Sequence, residues 1–74
     1  ANRFVAVYDS LLAAYGYESE NKDVIPPEAT GDIIELCLMV SDGQARIVRF
    51  WYERRFNIKL DFGANNLEVF ISFF

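Results

Sequence analysis

The residues best suited to chemistry lie in the segment 50–56, Phe-Trp-Tyr-Glu-Arg-Arg-Phe, which places aromatic rings and two adjacent arginines around one predicted chain reversal. Arginine beside stacking aromatic rings is typical of single-stranded nucleic-acid binding. The same residue types dominate the energetic centres of protein interfaces. By strand alternation, the side chains of this segment that we expect to be available to a partner are Phe50, Tyr52, Arg54 and Arg55.

The composition is poor in groups that carry out catalysis. There is no histidine, the most common general acid–base and zinc ligand. The single cysteine, Cys37, can form neither an internal disulfide nor a cysteine-rich zinc site, and we expect it to be a small buried hydrophobe and not a reactive thiol. No glycine-rich phosphate loop is present. We therefore predict a protein that is not an enzyme and that uses no cofactor or metal.

The length and net charge of the chain further restrict the class of protein it can be. The chain has 74 residues, of which 53% are hydrophobic and 16% aromatic, and its net charge is −4. This length predicts a single domain with a thin margin of stability. The acidic total argues against duplex DNA binding, which needs a basic surface. Neither a secretory signal nor an apolar run of ~20 residues is seen, so we expect a cytoplasmic protein without a membrane segment.

The chain begins with a predicted helix over residues 3–15. An apolar stripe at spacings of three and four runs from Phe4 to Tyr15, which is typical of an amphipathic helix. Gly16 is where a left-handed residue should end it. The acidic segment 17–31 has no period and contains two prolines, and we interpret it as a mobile loop, the alternative being a functional loop.

Four strands are predicted near residues 32–41, 44–52, 55–62 and 66–73. The turns joining them are placed at Asp42-Gly43, at Glu53-Arg54 and over 63–66. Asp-Gly is the strongest short hairpin signal, and all three turns put the apolar strand residues on one face. The alternative, a helix over 42–56, would be surrounded by apolar side chains on most sides. The predicted fold is α+β: an N-terminal helix packed on a four-stranded antiparallel meander sheet, in the order αββββ.

Arg49 is the one charged residue that strict alternation places on the inward face of this sheet. A buried guanidinium without a partner is very costly. Two explanations stay open. A β-bulge could turn Arg49 outward, or its stem could pack at the edge of the helix while its head stays in water.

The outward face is predicted to carry a contiguous apolar patch across the first two strands, rimmed by charge. Such a patch is typical of an interaction surface, unless the loop 17–31 folds back over it. With the two turn arginines, the predicted partner-binding residues are Ile33, Cys37, Met39, Val48, Phe50, Tyr52, Arg54 and Arg55.

These features together predict a small non-enzymatic protein–protein interaction module of the inhibitor or adaptor type. Its expected partner is a second copy of itself, giving a homodimer or larger assembly through the outer sheet face, or another protein. The alternative is single-stranded nucleic-acid binding through the aromatic–arginine hairpin.

Overall fold

The computed structural model describes residues 2–74. Its elements in chain order are α1 (Asn2–Tyr15), β1 (Glu20–Asn21), α2 (Ile33–Ser41), β2 (Ile47–Tyr52), β3 (Phe56–Gly63) and β4 (Asn66–Phe73). The strands form one antiparallel sheet in the order β1-β2-β3-β4. The predicted α+β class, the N-terminal helix and the four-stranded antiparallel sheet are confirmed, whereas the observed element order is αβαβββ and not the predicted αββββ. Neither helix in this part of the chain is long and apolar enough to cross a membrane.

Helix α1 lies over β2 and β3 on one face of the sheet, which we call the inner face. The ring of Phe4 stacks on Phe62 with centroids 4.7 Å apart, and Tyr15 meets Phe56 edge-on at 6.0 Å. Gly16 follows the helix at φ 78°, a conformation that a residue without a Cβ adopts at little cost. The apolar stripe and the glycine stop therefore position α1 as predicted.

The predicted strand over 32–41 is wrong, because this segment forms helix α2. Asp32 caps the helix by accepting a hydrogen bond from the Glu35 backbone N–H at 3.4 Å. A short, nearly continuous apolar run does not distinguish a buried strand from a buried helix, and here the cap and the packing decide for the helix. The buried residues of α2 are Leu36, Cys37 and Val40.

The predicted hairpin at Asp42-Gly43 is wrong for the same reason, since these residues end α2. Asp42 has helical backbone angles, and Gly43 has φ 78°. The Gly43 N–H donates to the Val40 carbonyl at 3.0 Å, and the Gln44 N–H donates to the Met39 carbonyl at 2.8 Å. This is the Schellman pattern of a helix C-terminus. The expected positive φ is present at Gly43, but it closes a helix.

Strand β1 comes from the segment 17–31, which the sequence predicts to be a mobile loop. Strand β1 pairs with β2, and Glu20 lies opposite Phe50. An isolated bridge between Val24 and Arg46 extends this contact. Pairing satisfies backbone groups along β2 that would otherwise form an open sheet edge. The N-terminal half of the segment is therefore held against the sheet.

The β2–β3 hairpin differs from the predicted register by two residues. Trp51 lies opposite Ile58 and not opposite Phe56, because the turn is centred on Arg54 and Arg55, one residue later than predicted. A shift of two preserves the face to which every side chain points. The predicted inner face of these strands is therefore retained although the pairing was wrong.

The β3–β4 hairpin has the predicted register, with Phe62 opposite Leu67 and Phe56 opposite Phe73. The core lies between the inner face of the sheet and the two helices. Its buried residues are Phe4, Leu36, Cys37, Val40, Ala45, Ile47, Trp51, Ile58 and Leu60.

Candidate protein-interaction surface

Arg49 lies on the inner face of β2, opposite Leu60 in a ladder without a bulge, and only 8% of the residue is exposed. Its Nη2 donates to Asp23 Oδ2 at 2.7 Å, and its Nη1 donates to the Tyr8 hydroxyl at 2.9 Å and to Glu18. Neither predicted explanation is right. The guanidinium is buried and paired with two carboxylates, in what we call the Arg49 cluster: Tyr8, Glu18, Asp23 and Arg49.

The polar groups of the Arg49 cluster pair with one another and with the backbone. Burial opposes ionisation of Glu18, but its own backbone hydrogen bond and the Arg49 charge hold its pKa below the ordinary value. Burial raises the pKa of Tyr8. Asp23 also accepts from the Val48 backbone N–H at 2.9 Å. Among the described residues, no buried side-chain nitrogen or oxygen lacks a partner. The cluster therefore joins α1, the segment 17–31 and β2, and leaves no group free for a ligand.

The predicted partner-binding residues of the segment 32–41 do not join an outer patch. Ile33, Cys37 and Met39 all belong to α2, and α2 packs on the inner face through the core. Cys37 is 1% exposed, and burial raises the pKa of its thiol. The expected continuous patch across two strands is therefore wrong, because one of those strands is a helix on the other side of the sheet.

The predicted residues of β2 do lie together on the outer face. The rings of Phe50 and Tyr52 stack with centroids 6.0 Å apart, and Val48 precedes them on the same face. The Lys59 ammonium lies 6.0 Å from the Phe50 centroid and 5.9 Å from that of Phe70. A shallow depression of 490 Å³ results, lined by Phe50, Tyr52, Asn57, Lys59, Phe70 and Ser72.

Charge on this outer face is largely compensated. The Tyr52 hydroxyl donates to Glu20, which raises the Tyr52 pKa. Arg46 forms two hydrogen bonds to Asp61, at 2.8 and 2.7 Å, and Lys59 lies 3.8 Å from the same carboxylate. The outer face is thus a mixed aromatic and charged surface, less apolar than the sequence predicts.

Arg54 and Arg55 occupy the tip of the β2–β3 hairpin. The Glu53 N–H donates to the Phe56 carbonyl at 2.9 Å and closes the turn around them. Both arginines are exposed, as predicted.

A row of exposed apolar side chains lies on β4, where the sequence predicts a covered core. Val69, Ile71 and Phe73, which we call the β4 strip, are 42%, 54% and 76% exposed. Their side chains are on the inner face, beside the core. A helix is about 10 Å across and strands are about 4.8 Å apart, so one helix covers about two strands. Helix α1 contacts Trp51 of β2 and Phe56 and Phe62 of β3, and α2 also packs against β3, so the β4 strip stays uncovered.

Strand β4 is also the open edge of the sheet. The Phe74 N–H donates to the Arg55 carbonyl at 3.2 Å, and hydrogen-bonded pairs alternate along an antiparallel ladder. The groups of Glu68, Phe70 and Ser72 therefore face β3. The backbone N–H and C=O groups that face away from β3 are those of Leu67, Val69, Ile71 and Phe73.

Protected edge strands usually carry lysine, proline or a bulge. Strand β4 is eight residues long, has the sequence Asn-Leu-Glu-Val-Phe-Ile-Ser-Phe, and contains none of these. This missing protection was the sequence signal that could have identified the surface. Alternation alone assigns the β4 strip to the core, because it shows which face a side chain points to and not whether that face is covered.

Neither a protein-family model, nor a curated protein, nor a solved structure matches this chain. The candidate surface is therefore argued from the geometry of the chain itself.

Proposed function

We propose that this chain is a non-enzymatic protein–protein interaction module that binds an extended segment of a partner along β4. In this mode the partner adds a strand to the sheet, main-chain hydrogen bonds supply affinity, and alternate side chains supply specificity. The outer face of β2, which the sequence favoured, becomes a secondary surface in this proposal.

The observation that carries the proposal is the coincidence of an open edge with an uncovered apolar row. The outward backbone groups of Val69 and Ile71 offer the hydrogen bonds that a strand needs. Their side chains are about half exposed, at 42% and 54%, and offer apolar surface next to the core. An exposed, largely apolar edge strand without lysine, proline or a bulge is a pairing site by default.

A library of random nonapeptides displayed on phage tests the proposal without assuming a partner. Panning against the wild-type chain, with counter-selection against Ile71→Lys, should enrich peptides with apolar residues at every second position. The matched control is Tyr52→Lys, which changes a residue of similar exposure, 47% against 54%, on the opposite face. Selected peptides should bind this control like wild type. Peptides that bind Ile71→Lys equally well, or no enrichment, would overturn the proposal.

Single-stranded nucleic-acid binding is the second candidate function. It is favoured by the aromatic rings of Phe50 and Phe70 on one sheet face with Lys59 near both centroids, since base stacking on aromatic side chains is sequence-tolerant. The net charge of −4 opposes it. Binding of a labelled oligothymidine that weakens with salt and is lost in Phe50→Ala would support this candidate. Absence of oligothymidine binding at low salt would contradict the single-stranded nucleic-acid function.

A further inference from the structure

We propose that the partner strand is β4 of a second copy of this chain, so that two sheets join into one continuous eight-stranded antiparallel sheet. This inference rests on the proposed function and names its partner. A two-fold axis perpendicular to the sheet makes the contact isologous. It keeps both inner faces on the same side, and the β4 strips of the two copies become neighbours.

The hydrogen-bonding pattern selects one register. Pairing centred on Phe70 sets Leu67 opposite Phe73 and Val69 opposite Ile71 of the second copy. Each of these residues has its free N–H and C=O directed outward, so all four pairs bond, giving about eight inter-chain hydrogen bonds. Centring the pairing on Val69 or on Ile71 leaves some of these groups unpaired.

The charges along β4 agree with the same register. Glu68 is the only charged residue of the strand. Pairing centred on Phe70 sets it opposite Ser72 of the second copy. Pairing centred on Glu68 would place two carboxylates directly opposite, which is destabilising.

The exposed apolar area suffices for a dimer at the small end of stable interfaces. Phe70, Phe73 and Phe74 are 45%, 76% and 83% exposed, and Val69 and Ile71 are 42% and 54% exposed. With about 200 Å² for a fully exposed aromatic residue, the five offer roughly 600 Å² per copy. Two copies can then bury at most about 1,200 Å², the lower limit of a standard interface.

The net charge supplies an independent signature. Each copy carries −4, so two copies repel one another at long range. Salt screens this repulsion, and self-association through an apolar strand should therefore strengthen as salt is added. Nucleic-acid binding has the opposite dependence.

Engineered cysteines test the pairing and its register, in a Cys37→Ser background that removes the native thiol. Residue 70 lies on the proposed two-fold axis in a non-hydrogen-bonded pair, where Cα atoms are about 4.5 Å apart, within the range a disulfide spans. Phe70→Cys should therefore form a disulfide-linked dimer under mild oxidation. The matched control, Ser72→Cys, places its two cysteines about 14 Å apart, beyond the span of a disulfide, and should form no linked dimer.

A second set of variants keeps Phe70 in place. The double variant Glu68→Cys with Ser72→Cys should cross-link between copies, while neither single variant should. The reason is that residue 68 of one copy faces residue 72 of the other. Within one copy these two residues are too far apart to bridge.

The outcomes separate this inference from the proposed function. Cross-linking of Phe70→Cys and of the double variant supports the inference. Preferential linking of Val69→Cys or Ile71→Cys to itself would overturn the register. A chain that stays monomeric by light scattering and forms no cross-link would overturn self-pairing, while peptides selected on β4 would still uphold the proposed function.

Discussion

Arg49→Met should remove a large part of the stability of this protein. The Arg49 side chain is 10% exposed and pairs with the carboxylates of Glu18 and Asp23, whose side chains are 13% and 6% exposed. The substitution leaves both carboxylates buried without a cation. Removing one partner of a buried ion pair costs about 3–5 kcal/mol.

The magnitude matters because the chain is short. At about 0.05–0.15 kcal/mol per residue, a domain of this size has roughly 4–11 kcal/mol of unfolding free energy. The variant should therefore unfold at a much lower urea concentration than wild type. Burial opposes ionisation of Glu18 and the Arg49 charge favours it, so the deficit should shrink as Glu18 is protonated at acidic pH.

Urea unfolding followed by the fluorescence of Trp51 measures this loss. Trp51 is the only tryptophan, is 1% exposed, and donates its Nε1 hydrogen to the Gly16 carbonyl at 2.9 Å. Its emission therefore reports on the same region of the core. Arg55→Met is the control, since exposed substitutions usually cost within about 0.5 kcal/mol. A loss of unfolding free energy below about 1 kcal/mol for Arg49→Met would contradict the buried ion pairs of Arg49 with Glu18 and Asp23.

Three further predictions concern other parts of the chain. Gly43→Val should cost about 1–3 kcal/mol more than Gly43→Asn in thermal unfolding, because φ is 78° there and a β-branched residue is strained at positive φ; equal costs would contradict the helix end. Hydrogen bonds from Arg46 lower the pKa of Asp61 from 3.8 although burial opposes them. Asp61 therefore stabilises the fold above its unfolded pKa and loses this effect as pH falls through the folded pKa, so acid titration between about pH 5 and 2 should destabilise wild type more than Asp61→Asn. Replacing Arg54 and Arg55 together with Ser should leave the melting temperature nearly unchanged; a large drop would mean that the turn residues pack in the fold.

The fold class could be predicted because periodicity specifies it. The stripe from Phe4 to Tyr15 and the alternation over the last two strands each fit one period only. The segment 33–41 could not be predicted in this way, since its apolar residues are nearly continuous and fit a strand as well as a helix. Its cap depends on a hydrogen bond from Glu35 to Asp32, and Ser, Asp and Asn side chains of this kind also suit turns.

The candidate surface could be predicted only in part. Alternation correctly placed Phe50 and Tyr52 outward and Ile71 inward. Whether an inward residue is covered depends on how far a single helix reaches, which is a tertiary property. The pairing of Arg49 with Asp23 was equally beyond the sequence, because the two residues are brought together by the folding of the segment 17–31 against β2.

Residue-resolved hydrogen exchange along β4, measured at low and at high protein concentration, tests the central claim most directly. The amides of Glu68, Phe70 and Ser72 face β3 and should be protected at both concentrations. The amides of Val69 and Ile71 should exchange freely in dilute solution and become protected as the protein is concentrated. Exchange of these two amides that is slow in dilute monomer, or fast at every concentration while the protein associates, would contradict pairing at the β4 edge.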